Sequence, residues 1–96
     1  MLSFELSERA QKDLENIWDY TYEKWSRNQA NKYFEFIQSE IREICLHPDS
    51  QGKLKLITRS ISVRRLKSHL IFFKIKNRKI FIIRILHKNM DLENHL

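Results

Sequence analysis

The first quarter of the chain changes from an alternating to a helical pattern of apolar positions. LSFEL at 2–6 alternates apolar and polar residues, which predicts a short strand. After Ser7, apolar residues recur at the three-to-four-residue spacing of an amphipathic helix, and serine is a favourable residue at a helix N-cap. We therefore expect a first helix over about 8–24.

A second helical pattern follows almost at once. Ser26 and Gln29 have the spacing of a capping box, and the apolar stripe that begins at Ala30 ends before Pro48, which cannot continue a helix. Because the link between the two helices is so short, we expect an antiparallel hairpin. Large aromatic residues at helical spacing are predicted to form its core: Trp18, Tyr22, Trp25 and Phe34.

Beyond the loop at 47–53 the pattern is that of strands. It is rich in Ile, Leu, Val and Phe and predicts strands over roughly 54–58, 61–67, 69–76 and 79–87. Asn77-Arg78 lies between two of these runs and is predicted to form a tight hairpin turn. We therefore expect a single α+β domain over 1–96, with an N-terminal strand and an antiparallel α-hairpin packed on a three- to four-stranded antiparallel sheet.

Two-residue turns at 67–68 and 77–78 define a strand register and sort the sheet into two faces. In this register Ile71 lies between Arg64 and Arg84. One face is apolar and is expected to contact the helices: Val63, Leu70, Phe72, Phe81, Ile83 and Ile85. The other face mixes apolar and basic side chains and is expected to be open: Ser62, Arg64, Leu66, His69, Ile71, Phe73, Ile75, Ile80, Ile82, Arg84 and Leu86. An uncovered face of this kind predicts a macromolecular partner.

The charge distribution agrees with such a partner. The protein has 96 residues and a formal net charge of +6. Residues 1–52 hold six Lys/Arg and ten Asp/Glu, whereas residues 53–90 hold twelve Lys/Arg and no Asp/Glu. A solvated basic face and an anionic partner both account for this distribution.

The composition excludes several classes of protein. The single cysteine, Cys45, excludes an internal disulfide bond, and no Cys/His cluster has the spacing of zinc ligands, so neither a metal nor another cofactor is expected. The N-terminal segment MLSFELSERAQ lacks the long apolar run of a signal peptide or a membrane span. We expect a cytoplasmic protein without a membrane partner.

Two segments resemble a known family. The run SHLIFFKIKNRKIFIIRILHKNMD at 68–91 and the segment YTYEKWSRNQANKYF at 20–34 resemble the ParE/RelE superfamily of bacterial toxins from type II toxin-antitoxin modules, and specifically its ParE branch. The resemblance extends over nearly the whole chain. It implies a cytosolic toxin that is neutralised by a cognate ParD-like antitoxin.

The resemblance leaves two activities open, because one scaffold carries both. ParE-like toxins inhibit DNA gyrase by non-covalent binding, which we favour, whereas RelE-like toxins are ribosome-dependent mRNA endoribonucleases. For a nuclease, the candidates are Arg64 or Arg65 and Arg84 for the phosphate, and His87 as acid or base. The chain is poorly equipped for this chemistry, since no Asp/Glu lies within 53–90 and no tyrosine lies near the carboxyl terminus. A small basic nucleic-acid-binding module is a third, less favoured class.

The segment RILHKNMD at 84–91 supplies the remaining candidates. Arg84 is expected either to project from the open face or to pair with an acid of the tail. Structural roles are the alternatives for His69, His87 and Met90, as solvated histidines at strand ends and as a core residue. The predicted surface for the antitoxin or the target consists of Arg64, Leu66, His69, Ile71, Phe73, Ile82, Arg84, His87, Lys88, Met90 and Asp91.

Overall fold

The order of the elements along the chain is the predicted one. A computed structural model of the protein describes residues 1–55, 60–90 and 95–96, including all of their side chains except those of 53–55 and 60. The elements are β1 (Ser3–Leu6), α1 (Glu8–Lys24), α2 (Arg27–Leu46), a 3-10 turn (Pro48–Ser50), β2 (Gly52–Lys55), β3 (Ser60–Arg65), β4 (His69–Lys76) and β5 (Lys79–His87). The α+β class is confirmed. β2 begins two residues earlier than predicted, and the predicted strand positions 56–58 lie outside the described residues.

Both helices are capped by the residues that the sequence predicts. The Ser7 hydroxyl accepts a hydrogen bond from the Ala10 N–H at 3.0 Å, and the Ser26 hydroxyl accepts one from the Gln29 N–H at 3.1 Å. Each cap satisfies an N–H group that has no partner within the helix. The Ser7 hydroxyl also donates to the carbonyl of Ile83 at 2.7 Å, so the residue that begins α1 also fastens it to β5.

The described strands form one five-stranded sheet in the order β1-β5-β4-β3-β2. β1 lies parallel to β5, and the other neighbouring strands are antiparallel. The predicted antiparallel sheet is confirmed, and the N-terminal strand joins it at one edge. Asn77 and Arg78 form the predicted two-residue turn, with φ angles of 52° and 61°. Positive φ at both positions is typical of the tight turns whose twist matches that of the flanking strands.

The strand register is the predicted one up to a β-bulge. β3 pairs with β4 as expected, and β4 pairs with β5 as expected from the turn to Phe73, which lies opposite Ile82. An irregularity between Phe72 and Phe73 then shifts the pairing, so that Phe72 lies opposite Arg84 instead of Ile83. A bulge adds one residue to one strand and changes the face of every residue beyond it.

The predicted assignment of the two sheet faces is wrong for most of the residues, although Ile85, beyond the bulge, packs on the helix side as predicted. Residues predicted for the open face are 0% exposed and pack on the helices: Ile71, Phe73, Ile80 and Ile82. They form one core with α1 and α2, in which Leu14, Ile37 and Ile44 are buried. Both sets of alternating residues in these strands are apolar, so the alternation separates two faces without indicating which face the helices cover.

The second face of the sheet has a smaller core of its own. Ile61, Phe72 and Leu86 are at most 2% exposed and form a cluster there, and the C-terminal Leu96 packs against it. The face that the register predicts to be open is therefore the one that the helices cover. Neither helix in the described ranges combines the length and the apolar character needed to cross a membrane.

Candidate functional site

The two arginines of the predicted surface are bound by side chains within the protein. Arg64 Nε donates to Glu40 Oε2 on α2 at 2.6 Å, and Arg64 Nη1 donates to Gln51 Oε1 at 3.1 Å. Arg84 Nε and Nη2 donate to the two carboxylate oxygens of Asp13 on α1, at 2.8 and 2.9 Å. The expectation that both cations project from an open face is therefore wrong, because carboxylates of the helices pair with both.

Asp13 has a structural role that extends beyond its ion pair. β1 stops pairing with β5 where the chain turns into α1. Beyond that point Asp13 Oδ2 accepts the backbone N–H of Ile85 at 3.0 Å, so a side chain replaces the missing strand at this edge. The hydrogen bond with Asp13 raises the pKa of Arg84, and Arg84 Nη1 also donates to the carbonyl of His95 at 2.9 Å. One carboxylate thus connects α1, the edge of β5 and the end of the chain.

Three other predicted residues line a groove beside the helical hairpin. The groove has a volume of about 710 Å³ and lies where β4 begins and β5 ends. Its predicted members are His69, His87 and Met90. The helices and their link contribute most of the remaining wall: Asp13, Asn16, Ile17, Tyr20, Thr21, Trp25, Gln29 and Tyr33.

Exposed aromatic side chains form the outer wall of this groove. Trp25 is 75% exposed and Tyr20 is 62% exposed. The prediction that Trp25 and Tyr22 belong to the hairpin core is wrong, since Tyr22 is also exposed and stacks on Trp18 at 5.3 Å between ring centroids. An exposed tryptophan in the link between two helices, next to a groove, is typical of a binding surface.

The floor of the groove holds a cluster of titratable side chains. Tyr33 Oη and His69 Nδ1 are joined by a hydrogen bond of 2.7 Å. The rings of His69 and His87 meet edge to face, with 5.3 Å between their centroids. Burial raises the pKa of Tyr33, and a hydrogen bond with the backbone of Ser68 partly offsets this rise. The pKa of His69 is lowered to about 4, first by burial and then by the charge of His87, whereas Asp13 raises it.

The low pKa of His69 predicts a loss of stability in mild acid. Unfolded histidine has a pKa near 6.5, so between pH 6.5 and 4 the unfolded chain binds a proton that folded His69 does not bind. We expect the free energy of unfolding to fall by about 2 kcal/mol between pH 7 and 5 from this group alone. Urea unfolding at several pH values should show that His69→Gln lacks this loss while His47→Gln, at the exposed end of α2, retains it. An unchanged pH dependence in His69→Gln would contradict the prediction.

The remaining predicted residues do not converge on the groove. Leu66 packs against the core under the helices, and Lys88 is exposed next to His87. Arg65 is exposed and pairs with Leu70, which belongs to the second sheet face. Asp91 lies outside the described residues. Arg64 and Arg65, the two alternatives for the phosphate in a nuclease, therefore lie on opposite faces of the sheet, because neighbours along a strand point to opposite faces.

The lining of the groove is suited to binding a ligand. Within the ranges that the structure describes, no group of three or more His, Cys, Asp or Glu side chains is placed to hold a metal ion. Aromatic side chains form its wall and polar side chains form its floor, an arrangement that fits a partly apolar ligand with a few polar groups. Sequence reasoning missed Asp13, Tyr20, Trp25 and Tyr33. Their one common signal is their position on the helices or, for Trp25, directly after α1, and it does not distinguish them from core residues.

Comparison with known proteins gives one consistent result. A family model for the ParE toxin of the type II toxin-antitoxin system parDE matches residues 4–92. Toxin ParE1 of Caulobacter vibrioides is 32% identical over 96 residues, which is 100% of this chain and 99% of that protein. Toxin ParE1 of Mycobacterium tuberculosis is 32% identical over 92 residues, with 95% and 94% of the two chains covered.

A solved structure also has this fold. It belongs to the chromosomal ParDE TA system from P. aeruginosa and matches with a TM-score of 0.78, at 20% sequence identity. The match covers 91% of this chain and 96% of the other. At this identity the likeness concerns the arrangement of helices and strands alone.

Proposed function

Because the chain belongs to the ParE toxin family of type II toxin-antitoxin systems, we propose that it inhibits DNA gyrase in the cytoplasm by non-covalent binding. A ParD-like antitoxin is the partner that neutralises it. The family description names parDE, and the solved relative is a ParDE system. Both descriptions support an antitoxin of this type.

Arg64 and Arg84 each form an ion pair within the protein, and this observation favours inhibition over catalysis. A ribonuclease needs a cation for the negative charge that develops on the scissile phosphate. Glu40 already binds Arg64 at 2.6 Å, and Asp13 binds Arg84 through two hydrogen bonds. Releasing either arginine to a phosphate would leave a carboxylate in a largely buried position, which is unfavourable. Binding to a protein target does not require this release.

A ribosome-dependent endoribonuclease is the second candidate function, and one observation favours it. Tyr33, His69 and His87 bring three groups capable of proton transfer together in one groove. Imidazole side chains are the usual acids and bases at neutral pH. Mutation of these residues therefore belongs in any test of RNA cleavage.

We assign the groove to the antitoxin. Trp25, Tyr20 and Met90 present exposed apolar surface along its wall. Aromatic anchors of this kind contribute the largest shares of binding energy in protein interfaces. An antitoxin segment that lies in the groove would cover this surface from water.

The proposed function predicts inhibition of supercoiling without RNA cleavage. Purified protein should stop DNA supercoiling by gyrase, and a translation-coupled assay should show intact mRNA. Addition of the antitoxin encoded beside the toxin gene should restore supercoiling. Cleavage of mRNA together with unaffected gyrase would overturn the proposal in favour of the nuclease.

The same assay can test the groove. Trp25→Ala should need roughly tenfold or more additional antitoxin to restore supercoiling, since truncating an aromatic anchor weakens binding by about 2 kcal/mol. Tyr22→Ala is the matched control. Tyr22, on α1, is an exposed aromatic residue like Trp25, but it does not line the groove. Equal antitoxin requirements for the two variants would remove the groove from the interface.

A further inference from the structure

The Nδ1 atom of each histidine in the groove has a polar neighbour. Tyr33 Oη interacts with the backbone of Ser68 and lies 2.7 Å from His69 Nδ1. When the phenol O–H donates to Nδ1, neutral His69 carries its proton on Nε2. The Nδ1 atom of His87 accepts the backbone N–H of Asn89 at 3.2 Å, which also puts the proton of His87 on Nε2.

Both Nε2 atoms are available to a ligand. Neither Nε2 atom has a hydrogen-bond partner among the residues that the structure describes. No buried side-chain nitrogen or oxygen in that part of the chain is without a partner, so each Nε2 is within reach of solvent. Both rings line the groove. The two rings, on adjacent strands, therefore line the same groove.

The surroundings of this histidine pair are favourable for an anion. The backbone N–H of Lys88 donates to the carbonyl of Ser68 at 3.0 Å, so the exposed Lys67 and Lys88 both adjoin the pair. Among the described residues that line the groove, the one carboxylate is that of Asp13, and Arg84 already binds it. The titratable groups that line the groove are Asp13 and Tyr20 on α1, Tyr33 on α2, and the two histidines on β4 and β5. The negative charge among these groups is that of Asp13, which raises the pKa of His69 and is paired with Arg84.

We propose that His69 and His87 form a carboxylate-binding site in the groove, and that an acidic side chain of the antitoxin occupies it. The assignment to the antitoxin rests on the proposed function. It is supported by charge complementarity, since residues 53–90 hold twelve Lys/Arg and no Asp/Glu. A carboxylate accepts two hydrogen bonds at once, so it can accept one from each of the two histidines.

The affinity of the site for a carboxylate should depend on pH. In the free protein His69 has a pKa of about 4, because burial and His87 disfavour its charged form and Asp13 offsets them only in part. An opposite charge within hydrogen-bonding distance favours the charged form, so binding takes up a proton and the pKa of His69 rises. Carboxylates remain ionised above about pH 5. Binding should therefore be about three- to tenfold tighter at pH 5.5 than at pH 8.

The first experiment titrates the intact protein with propionate and with propionamide, which has nearly the same shape but no charge. We expect propionate alone to shift the ring ¹⁵N signals of His69 and His87 saturably, with the pKa of His69 raised in the complex. His47, which lies outside the groove, serves as the internal control. Equal shifts with the two compounds, equal shifts at His47, or no shift at all would overturn the carboxylate site.

The second experiment identifies the source of the carboxylate. His87→Phe keeps a ring but removes the Nε2–H donor, and we expect about tenfold weaker binding of the antitoxin encoded beside the toxin gene. His47→Phe should bind like the wild type. Unchanged affinity in His87→Phe would overturn the antitoxin as the occupant. Gyrase inhibition by the wild-type protein alone is measured separately, so failure of the proposed function would be seen there and not in the propionate titration.

Discussion

Replacing Asp13 by alanine is expected to lower the free energy of unfolding by about 3–5 kcal/mol. The Arg84 and Asp13 side chains are 14% and 12% exposed, so the substitution leaves a guanidinium group largely buried without a counter-ion. It also removes the acceptor of the Ile85 N–H at the edge of β5. An unpaired donor in such a position costs about 1–3 kcal/mol. Urea unfolding followed by circular dichroism measures the loss.

The same helix offers a matched control for this prediction. Glu15 pairs with Lys12 at 3.7 Å, but their side chains are 67% and 70% exposed. Exposed ion pairs contribute little, so Glu15→Ala should change stability by less than about 1 kcal/mol. Asp13→Asn should lie between the two, because an amide oxygen can still accept the Ile85 N–H. If Asp13→Ala and Glu15→Ala have equal effects, Asp13 does not hold the edge of the sheet.

The second large effect concerns the sheet face that carries no helix. Phe72→Ala is expected to destabilise the protein by about 3–5 kcal/mol, the usual range for removing a buried aromatic ring. Phe72 is 0% exposed and packs with Ile61 and Leu86. Phe73, the next residue, is 0% exposed on the helix side. Two adjacent phenylalanines thus belong to different cores, and Phe73→Ala should have a comparable effect.

Ile75→Ala is the control for both phenylalanine variants. Ile75 lies on the same strand and is 40% exposed, so its truncation should cost about 1 kcal/mol or less. Thermal unfolding of the variants gives the comparison. A Phe72→Ala variant as stable as Ile75→Ala would show that the cluster on the second face contributes no core.

Elements with local causes are predictable from the sequence. The caps at Ser7 and Ser26 and the end of α2 before Pro48 depend on hydrogen bonds and steric effects within a few residues. The turn at Asn77-Arg78 depends on the distance between two apolar runs. For the same reason the register of β4 and β5 is correct near this turn, where few residues separate the paired positions.

The candidate site could be predicted only in part. His69, His87 and Met90 were found because they lie at the ends of recognisable strands. Tyr33 and Trp25 belong to the same groove but come from the helical hairpin, more than 30 residues earlier in the chain. No spacing rule connects residues that far apart, so only the packing of the hairpin on the sheet brings them together.

The sequence by itself determined the elements, their order, the neighbouring antiparallel strands and the family. Only the tertiary structure decided which sheet face the helices cover, because both faces are apolar and a single bulge at Phe72 exchanges them locally. It also decided that Arg64 and Arg84 form ion pairs within the protein. Their partners Glu40 and Asp13 lie on the helices, and the attraction between such distant charges acts only after the chain has folded.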